Sequence, residues 1–456
     1  MFERMPAAVV HRAVLWVLLG FLPLGSARAD DAADRIQALE KRLETSTKLI
    51  EALAARVAEL ERGNKAPVAP PAAVLPAAAA ASQAEAARAI AALQDDVNQI
   101  SEGLSRRGLD SGLPIHGFAD VTAGWSSLGD PARLRGFNAG TLDLYLTPQF
   151  GDRVRSLIEI AIEYDRDGGS TVDMERLQLG YTVSDALTLW LGRFHTPFGL
   201  WNTSFHHGAN LQTSITRPRF VDFEDKGGII PAHSVGFWGT GKMALGPGKI
   251  TYDAYVSNGP SIRKRELDLN PFTDDSNGKM LGFNLGYQPA GALHGATVGL
   301  HGFGSTVNTY ATSAALLRST RLRMLGAYLG YDANDWEVIS EYYHFANADA
   351  GDRIKRHSNA WFAHVGKTYG ALTPFVRYER AALDPADDYF LSQETGRSYR
   401  RVVLGARYAL DTKASFKLEW STTREAGALQ LDEFGMRSPF AAARYRRFEV
   451  QYSIAF

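Results

Sequence analysis

The chain has 456 residues, of which 45% are hydrophobic and 22% are charged, proportions that fit a folded protein. Its formal net charge is -1, so no basic excess marks a nucleic-acid-binding protein. It contains no cysteine, which excludes disulfides, thiolate catalysis and zinc sites built on cysteine.

The N-terminus has the pattern of a secretory signal peptide. Arg4 and Arg12 precede the apolar run "AVLWVLLGFLPLG", and the small residues Ala27 and Ala29 follow it. The run is too short for a transmembrane helix, which needs about 20 apolar residues. We expect residues 1–29 to be removed by cleavage after Ala29.

Residues 30–112 are predicted to form a periplasmic stalk. Its first part has apolar residues at the a and d positions of nearly four heptads, which favours a coiled coil over a single amphipathic helix lying on a domain. The a and d residues are Ile36, Leu39, Leu43, Ile50, Leu53, Val57 and Leu60, with Ser46 at one d position. A Pro/Ala-rich linker at residues 63–82 separates it from a second heptad stretch. The heptads predict self-association without deciding the number of copies.

From Ile115 the hydrophobic period changes to two, which is typical of strands with one apolar face. The last segment, "RFEVQYSIAF", shows the alternation clearly, since Phe448, Val450 and Tyr452 are separated by Glu449 and Gln451. A soluble β-sandwich with one wet face would alternate in the same way. Strands of about ten residues with aromatic ends favour an all-β, transmembrane antiparallel β-barrel of about 16 strands over residues 113–456.

The connections between the predicted strands are alternately short and long. The short ones fall at residues 151–152, 184–186, 333–335 and 411–414. The long ones fall near residues 127–136, 259–278, 305–320, 346–357, 381–397 and 423–443. Short periplasmic turns and long outer loops are the arrangement of outer-membrane barrels.

Three features together resemble a bacterial outer-membrane porin: the signal peptide, the coiled coil and a final strand that ends in phenylalanine, Phe456. The segment "LWLGRFHTPFGLWN" is similar to a strand-and-loop entry of the phosphate-selective porin O/P group. The N-terminal coiled coil resembles that of dicarboxylate-type porins. The resemblance implies a trimer in the outer membrane of a Gram-negative bacterium, through which small hydrophilic solutes, often anions, diffuse.

Residues 198–227 interrupt the alternation, and a loop of this length inside a compact fold is usually functional. The resemblance to porins implies that it folds into the lumen and narrows it. The candidate constriction residues are His206, His207, Arg217, Arg219, Asp222, Glu224, Asp225 and Lys226. Because Arg217 and Arg219 are interleaved with acids, we expect a weak anion preference and no strict phosphate selectivity. In an extended segment these two arginines would project to the same side.

The histidines of this loop also raise two other kinds of site. Adjacent His206 and His207 would point in opposite directions in an extended chain, which disfavours a metal site. Ser204 near His206 suggests a hydrolase, but no G-x-S-x-G turn is present. We therefore expect no enzyme activity, no bound metal and no cofactor.

Charged residues on the lumen side of the late strands complete the predicted site. They are Arg377, Glu379, Arg401, Arg407, Lys417 and Glu419. They would either bias which ions enter or form a salt-bridge lattice that stiffens the wall. Two functions stay open on the sequence: a passive pore, and a structural tether or barrel partner of a periplasmic or peptidoglycan component.

Overall fold

In the computed structural model, the described residues are 115–128, 135–164, 170–205, 211–268, 278–352, 354–432 and 434–456. The predicted signal peptide, coiled coil and Pro/Ala linker lie outside these residues. The part that is described is all-β.

Twenty-two strands and a few short helical segments are present in this part of the chain. The first eleven strands are β1 (Ile115–Ser126), β2 (Arg135–Asn138), β3 (Thr141–Leu146), β4 (Gln149–Phe150), β5 (Val154–Tyr164), β6 (Ser170–Ser184), β7 (Leu187–His195), β8 (His233–Leu245), β9 (Gly248–Ser257), β10 (Ser261–Arg263) and β11 (Glu266–Leu267). The others are β12 (Met280–Gln288), β13 (Ala296–Tyr310), β14 (Leu316–Ala333), β15 (Trp336–Asp349), β16 (Arg356–Lys367), β17 (Leu372–Ala382), β18 (Tyr399–Ala409), β19 (Ala414–Glu425), β20 (Ala428–Leu431), β21 (Arg437–Phe440) and β22 (Ala443–Ala455). The helical segments are α1 (Trp201–Ser204), α2 (Asp388–Leu391) and the 3-10 turns Arg219–Val221, Glu224–Lys226 and Gly291–Leu293.

Sixteen of these strands form the wall of a closed antiparallel barrel. In order around the wall they are β1, β3, β5, β6, β7, β8, β9, β12, β13, β14, β15, β16, β17, β18, β19 and β22. The last strand closes on the first from Phe118↔Ala455 to Ser126↔Arg447. Gly117 and Phe456 extend the seam by exchanging two backbone hydrogen bonds of 3.1 and 3.0 Å. Closure leaves no unpaired edge, which is the requirement for a sheet in a lipid environment.

The predicted alternation of faces is confirmed in the wall. On β22, Phe448, Val450 and Tyr452 are exposed on the outside, whereas Glu449 and Gln451 are buried within the barrel. The outer face is therefore apolar and the inner face polar, the reverse of a water-soluble protein.

The connections follow the predicted division with one correction. Short turns join β6 to β7, β14 to β15 and β18 to β19 where the sequence predicts them. A long loop was expected near residues 305–320, but β13 continues to Tyr310 and β14 starts at Leu316. These two strands stay paired beyond their apolar portions because period-two alternation of polar residues is compatible with a strand in water.

Candidate functional site

The segment between β7 and β8, residues 196–232, is here named the inner loop. Its two ends are held together at the wall, since the Thr196 N–H donates to the Ala232 carbonyl at 2.8 Å. The strands beside it end and begin at His195 and His233, in agreement with the predicted interruption. Between those ends the chain forms α1 and two 3-10 turns.

The inner loop crosses the lumen to the opposite wall. β7 and β8 are the fifth and sixth wall strands, whereas β17 and β18 are the thirteenth and fourteenth, half a circumference away. Glu379 on β17 accepts the backbone N–H of Arg219 at 2.8 Å. Arg377 on the same strand donates to Ser214 Oγ at 2.9 Å and to the Arg217 carbonyl at 3.2 Å. The loop is therefore inside the barrel and bound to its far side.

Two further wall carboxylates hold the backbone of the loop. Glu341 Oε1 on β15 accepts the N–H groups of Leu200 at 3.0 Å and Trp201 at 2.5 Å, where α1 begins. Glu419 Oε2 on β19 accepts those of Ile215 at 2.9 Å and Thr216 at 3.1 Å. An irregular chain inside a barrel has no ladder partners for its N–H groups, and these carboxylates provide charge-assisted ones.

A glycine is needed at position 199, where the backbone of the loop passes close to the Glu341 carboxylate. Gly199 has φ +62°, and a Cβ at this position would meet the carboxylate of Glu341 and the hydroxyl of Tyr343. Both the left-handed backbone and the close approach therefore exclude a larger residue.

Wall cations neutralise two of the carboxylates that bind the loop, Glu379 and Glu419. Arg377 Nε lies 2.8 Å from Glu379 Oε1, and both side chains are fully buried. Arg401 on β18 lies 3.6 Å from Glu379 Oε1 and 3.4 Å from Glu419 Oε1. Lys417 on β19 donates to the Ser214 carbonyl at 3.2 Å. Arg407 is half-buried and lies opposite Lys417 in the register of β18 and β19.

An aromatic core fills the space between the inner loop and the wall. Phe198, Trp201 and Phe220 of the loop are at most 1% exposed. Phe220 packs edge-on against Tyr343 at 4.8 Å, and Trp201 against Phe362 at 5.5 Å. This half of the lumen is a packed interior and not a water-filled space.

The two arginines of the loop have different partners. Arg217 donates to the carbonyls of Val221 at 3.0 Å and Phe205 at 2.6 Å, and to Asn202 Oδ1 at 2.8 Å. It is 4% exposed, and burial lowers its pKa to about 10 although Asp222 is near. Arg219 instead reaches Glu425 Oε1 on β19 at 2.5 Å. The structure thus places Arg217 within the loop and Arg219 at the wall.

The acids of the loop differ in the same way. Glu224 is buried and accepts the backbone N–H of His233 at 2.9 Å and lies 3.0 Å from its Nδ1. His233 Nε2 in turn lies 3.1 Å from Glu175 Oε2 on β6. Asp222 is half-buried, and burial raises its pKa above the ordinary value. Asp225 lies in the 3-10 turn between Glu224 and Lys226, and His206 and His207 lie outside the described residues.

Lys226 lies on the side of the loop away from its anchors. Its Nζ is 2.8 Å from Glu163 Oε1 on β5, and the two side chains are 42% and 22% exposed. Nearby on β6, Arg176 is 18% exposed and pairs with the fully buried Glu159. Asp120 and Thr122 on β1 are also half-buried on this inner face. The partly exposed polar groups of the lumen therefore include a set beside β1, β5 and β6.

Sequence reasoning missed several of these residues. The alternation of "LIEIAIEY" places Glu159 and Glu163 on the inner face, but it carries no sign that Lys226 is their neighbour. Three other residues that hold the loop could not be singled out from the sequence, because its alternation indicates only that they lie on an inner face. They are Glu341, Tyr343 and Phe362.

The described residues contain no helix long and apolar enough to cross a membrane. They also contain no group of three or more metal-ligating side chains.

No protein-family model matches the sequence, and no curated protein matches it. Solved structures do resemble it. An anion-selective porin from Comamonas acidovorans has a TM-score of 0.52 and 12% identity, covering 76% of this chain and 99% of that chain. OmpT, an outer membrane protein of Vibrio cholerae in its trimer form, has a TM-score of 0.48 and 11% identity, covering 76% and 99%. The outer membrane channel DcaP of Acinetobacter baumannii has a TM-score of 0.47 and 10% identity, covering 75% and 97%. The chain shares its fold with the Comamonas porin.

Proposed function

We propose that this chain is an outer-membrane porin for the passive diffusion of small hydrophilic solutes, with a weak anion preference. The observation that carries the proposal is the inner loop, which is bound by carboxylates and arginines of the opposite wall inside a closed, externally apolar barrel. A barrel of this strand number is wide enough for an aqueous channel. We propose that the loop narrows this channel without closing it.

The open part of the lumen is proposed to run beside β1, β5 and β6. The anchored half is filled by buried aromatic side chains, whereas the opposite half keeps partly exposed polar ones. Ions would therefore pass between Lys226 and the facing wall. The buried residues that hold the loop in place would shape the passage and would not contact the solute. They include Arg217 within the loop and Glu379 on the wall.

The weak anion preference rests on the exposure of paired charges. Lys226 is more exposed than its partner Glu163, and Arg176 is more exposed than its partner Glu159. The positive member of each pair thus contributes more to the potential in the passage, although the negative member reduces it. The preference is expected to fall at high salt because the charges are partly solvated.

We further propose that the chain forms a homotrimer in the outer membrane, with residues 30–112 as a periplasmic coiled coil. The porin from Comamonas acidovorans supports the barrel fold alone, and the trimer, the stalk and the anion preference are proposals for this chain.

The decisive experiment removes the inner loop without breaking the wall. Because Thr196 and Ala232 already bond to each other, residues 197–231 can be replaced by a two-residue Asn-Gly turn. We expect the variant to show a larger single-channel conductance than the full chain in a planar bilayer. Equal conductance of the two proteins would mean that the loop does not narrow the ion path. Absence of any conductance in the full chain would instead favour the structural tether.

A further inference from the structure

Four arginines form a row across adjacent strands on the outer face of the barrel. Arg380 on β17 is directly opposite Arg400 on β18, which is opposite Arg424 on β19, which is opposite Arg444 on β22. All four are exposed, and so is Arg446 one step further along β22. We call these five residues the arginine row.

The row lies where the apolar outer band ends. Further along the same faces toward the short turns come Leu404, Trp420 and Phe448, which are 47%, 37% and 41% exposed. In the other direction, β17 and β19 soon end in the long connections at residues 383–398 and 426–442. The arginines therefore stand at the level of a lipid headgroup, on the side of the long outer loops.

The row has no internal counter-charge in the part of the chain that the structure describes. None of its five guanidinium groups forms an ion pair with a described acid. The adjacent acids Glu379 and Glu425 face inward, where they bind Arg377, Arg219 and Arg397. Like charges directly opposite each other destabilise a pair of strands, and three such pairs occur in succession. An arrangement of this kind calls for an anion supplied from outside the chain.

We propose that the arginine row binds the phosphates of a lipid headgroup that carries at least two of them, in the leaflet on the side of the long loops. Neighbouring strands are about 4.8 Å apart, so the four opposed arginines span roughly 15 Å, enough for two phosphate groups. Each guanidinium can hold phosphate oxygens in a bidentate manner. The acyl chains would lie on Leu404, Trp420 and Phe448. The proposal rests on the barrel standing in an outer membrane but not on conductance.

The test measures lipid binding to the full chain in detergent by native mass spectrometry. The probe is lipid A with two phosphates, compared with its dephosphorylated form and with inorganic pyrophosphate. We expect one high-affinity adduct per chain with the bis-phosphorylated lipid, and R400Q/R424Q to weaken its affinity about tenfold, as loss of charge-assisted bonds predicts. Single-channel conductance should be unchanged, which separates this result from a failure of the proposed pore.

A matched control is available on the same outer face. Arg321 and Arg323 on β14 are exposed at the same end of the barrel, but they face Thr306 and Gly304 across the strands instead of other arginines. R321Q/R323Q removes the same charge and should change lipid affinity less than about twofold, because no cluster is broken. Equal losses in the two variants, or equal binding of the dephosphorylated lipid, would overturn the proposal. Pyrophosphate binding as tightly as the lipid would also overturn it.

If R400Q/R424Q fails to fold, R400K/R424K keeps the charge but removes the bidentate geometry. A second variant, R380Q/R444Q, removes the charge of the two outer members of the four opposed arginines. We expect R400K/R424K to bind the lipid with an affinity between those of the unmodified chain and R380Q/R444Q. Unchanged affinity in both R400K/R424K and R380Q/R444Q would contradict the row as the binding site.

Discussion

Glu379 on β17 accepts the backbone N–H of Arg219 at 2.8 Å, although β17 lies on the opposite side of the barrel from β7 and β8, which carry the inner loop. The same carboxylate neutralises Arg377 and Arg401, so one side chain joins the inner loop to two wall cations. Its removal leaves the buried Arg377 without its ion-pair partner and leaves Arg401 paired with Glu419 alone. This makes Glu379 the most direct way to test the attachment of the loop.

We predict that Glu379→Ala destabilises the protein by about 3–5 kcal/mol, the usual cost of breaking a buried ion pair. The free energy of unfolding can be measured by urea denaturation in lipid vesicles. Single-channel recordings should also become noisier, because the loop loses its hold on the far wall. Glu394→Ala is the control, since Glu394 is exposed, and it should leave both readouts unchanged. Quiet recordings and normal stability in Glu379→Ala would contradict the anchoring role.

A second prediction concerns the packing of the loop. Trp201 is fully buried, and its ring lies 5.5 Å from that of Phe362 and 5.5 Å from the guanidinium of Arg377. Trp201→Ala should therefore cost about 3–5 kcal/mol of stability by leaving a cavity. Phe434→Ala removes an aromatic ring that is 68% exposed, and it should change stability by less than about 0.5 kcal/mol. Similar thermal transitions in the two variants would mean that the loop contributes little to the fold.

The charges at the proposed passage should affect ion selectivity in opposite directions. Lys226→Gln should move the reversal potential in a salt gradient toward cation preference, and Glu163→Gln should move it toward anion preference. Both shifts should be larger at low salt, where screening is weakest. Lys367→Gln removes an equal charge at a short turn and should have no effect.

Arg217 provides an internal contrast to Lys226. Because it is buried and bonded within the loop, Arg217→Gln should lower stability and leave the reversal potential unchanged. A shift in reversal potential with Arg217→Gln but none with Lys226→Gln would place the ion path elsewhere.

The outer loop of residues 383–398 should have pH-dependent stability. Burial raises the pKa of Asp387 from 3.8 to about 7, an effect that the hydrogen bond from Asn347 reduces and the nearby Asp349 and Asp384 carboxyls increase. The folded state thus binds more protons than the unfolded state between these two values. Stability should be highest below about pH 4 and decline as pH rises toward 7, by at most about 1.4 kcal/mol per pH unit.

Hydrogen exchange of α2 at pH 5 and pH 8 would measure this decline, since Asp387 caps that helix by accepting from the Tyr389 N–H at 3.1 Å. Asp387→Asn should lose the pH dependence. Equal protection of α2 at the two pH values in the unmodified protein would contradict the prediction.

The predicted stalk can be tested independently of the barrel. Deletion of residues 30–112 should leave a chain that inserts into the membrane but forms a less stable oligomer, because heptad positions bury their apolar residues only between chains. Seminative gel electrophoresis would compare the temperatures at which the two oligomers dissociate. The same temperature for both proteins would show that the stalk does not control assembly.

The sequence alone predicted the wall of this protein well. Alternation over "RFEVQYSIAF" and similar segments identified the outer and inner faces, the all-β class and the ends of β7 and β8 beside the inner loop. It failed at residues 305–320, where polar strands extend past the apolar band. Side-chain direction in a strand is a local property of the backbone, so it can be predicted without knowledge of partners.

Only the tertiary structure decided what the inner-face charges do. Arg217 and Arg219 are two residues apart, but one is enclosed by its own loop and the other pairs with Glu425 on β19. Likewise, nothing local indicates that Arg380, Arg400, Arg424 and Arg444 stand side by side, because that depends on the register of four strands. The sequence by itself determined where the loop lies in the chain and which residue types it contains. Its contacts were determined by the fold, because strand register and barrel closure bring together residues that are far apart in the chain.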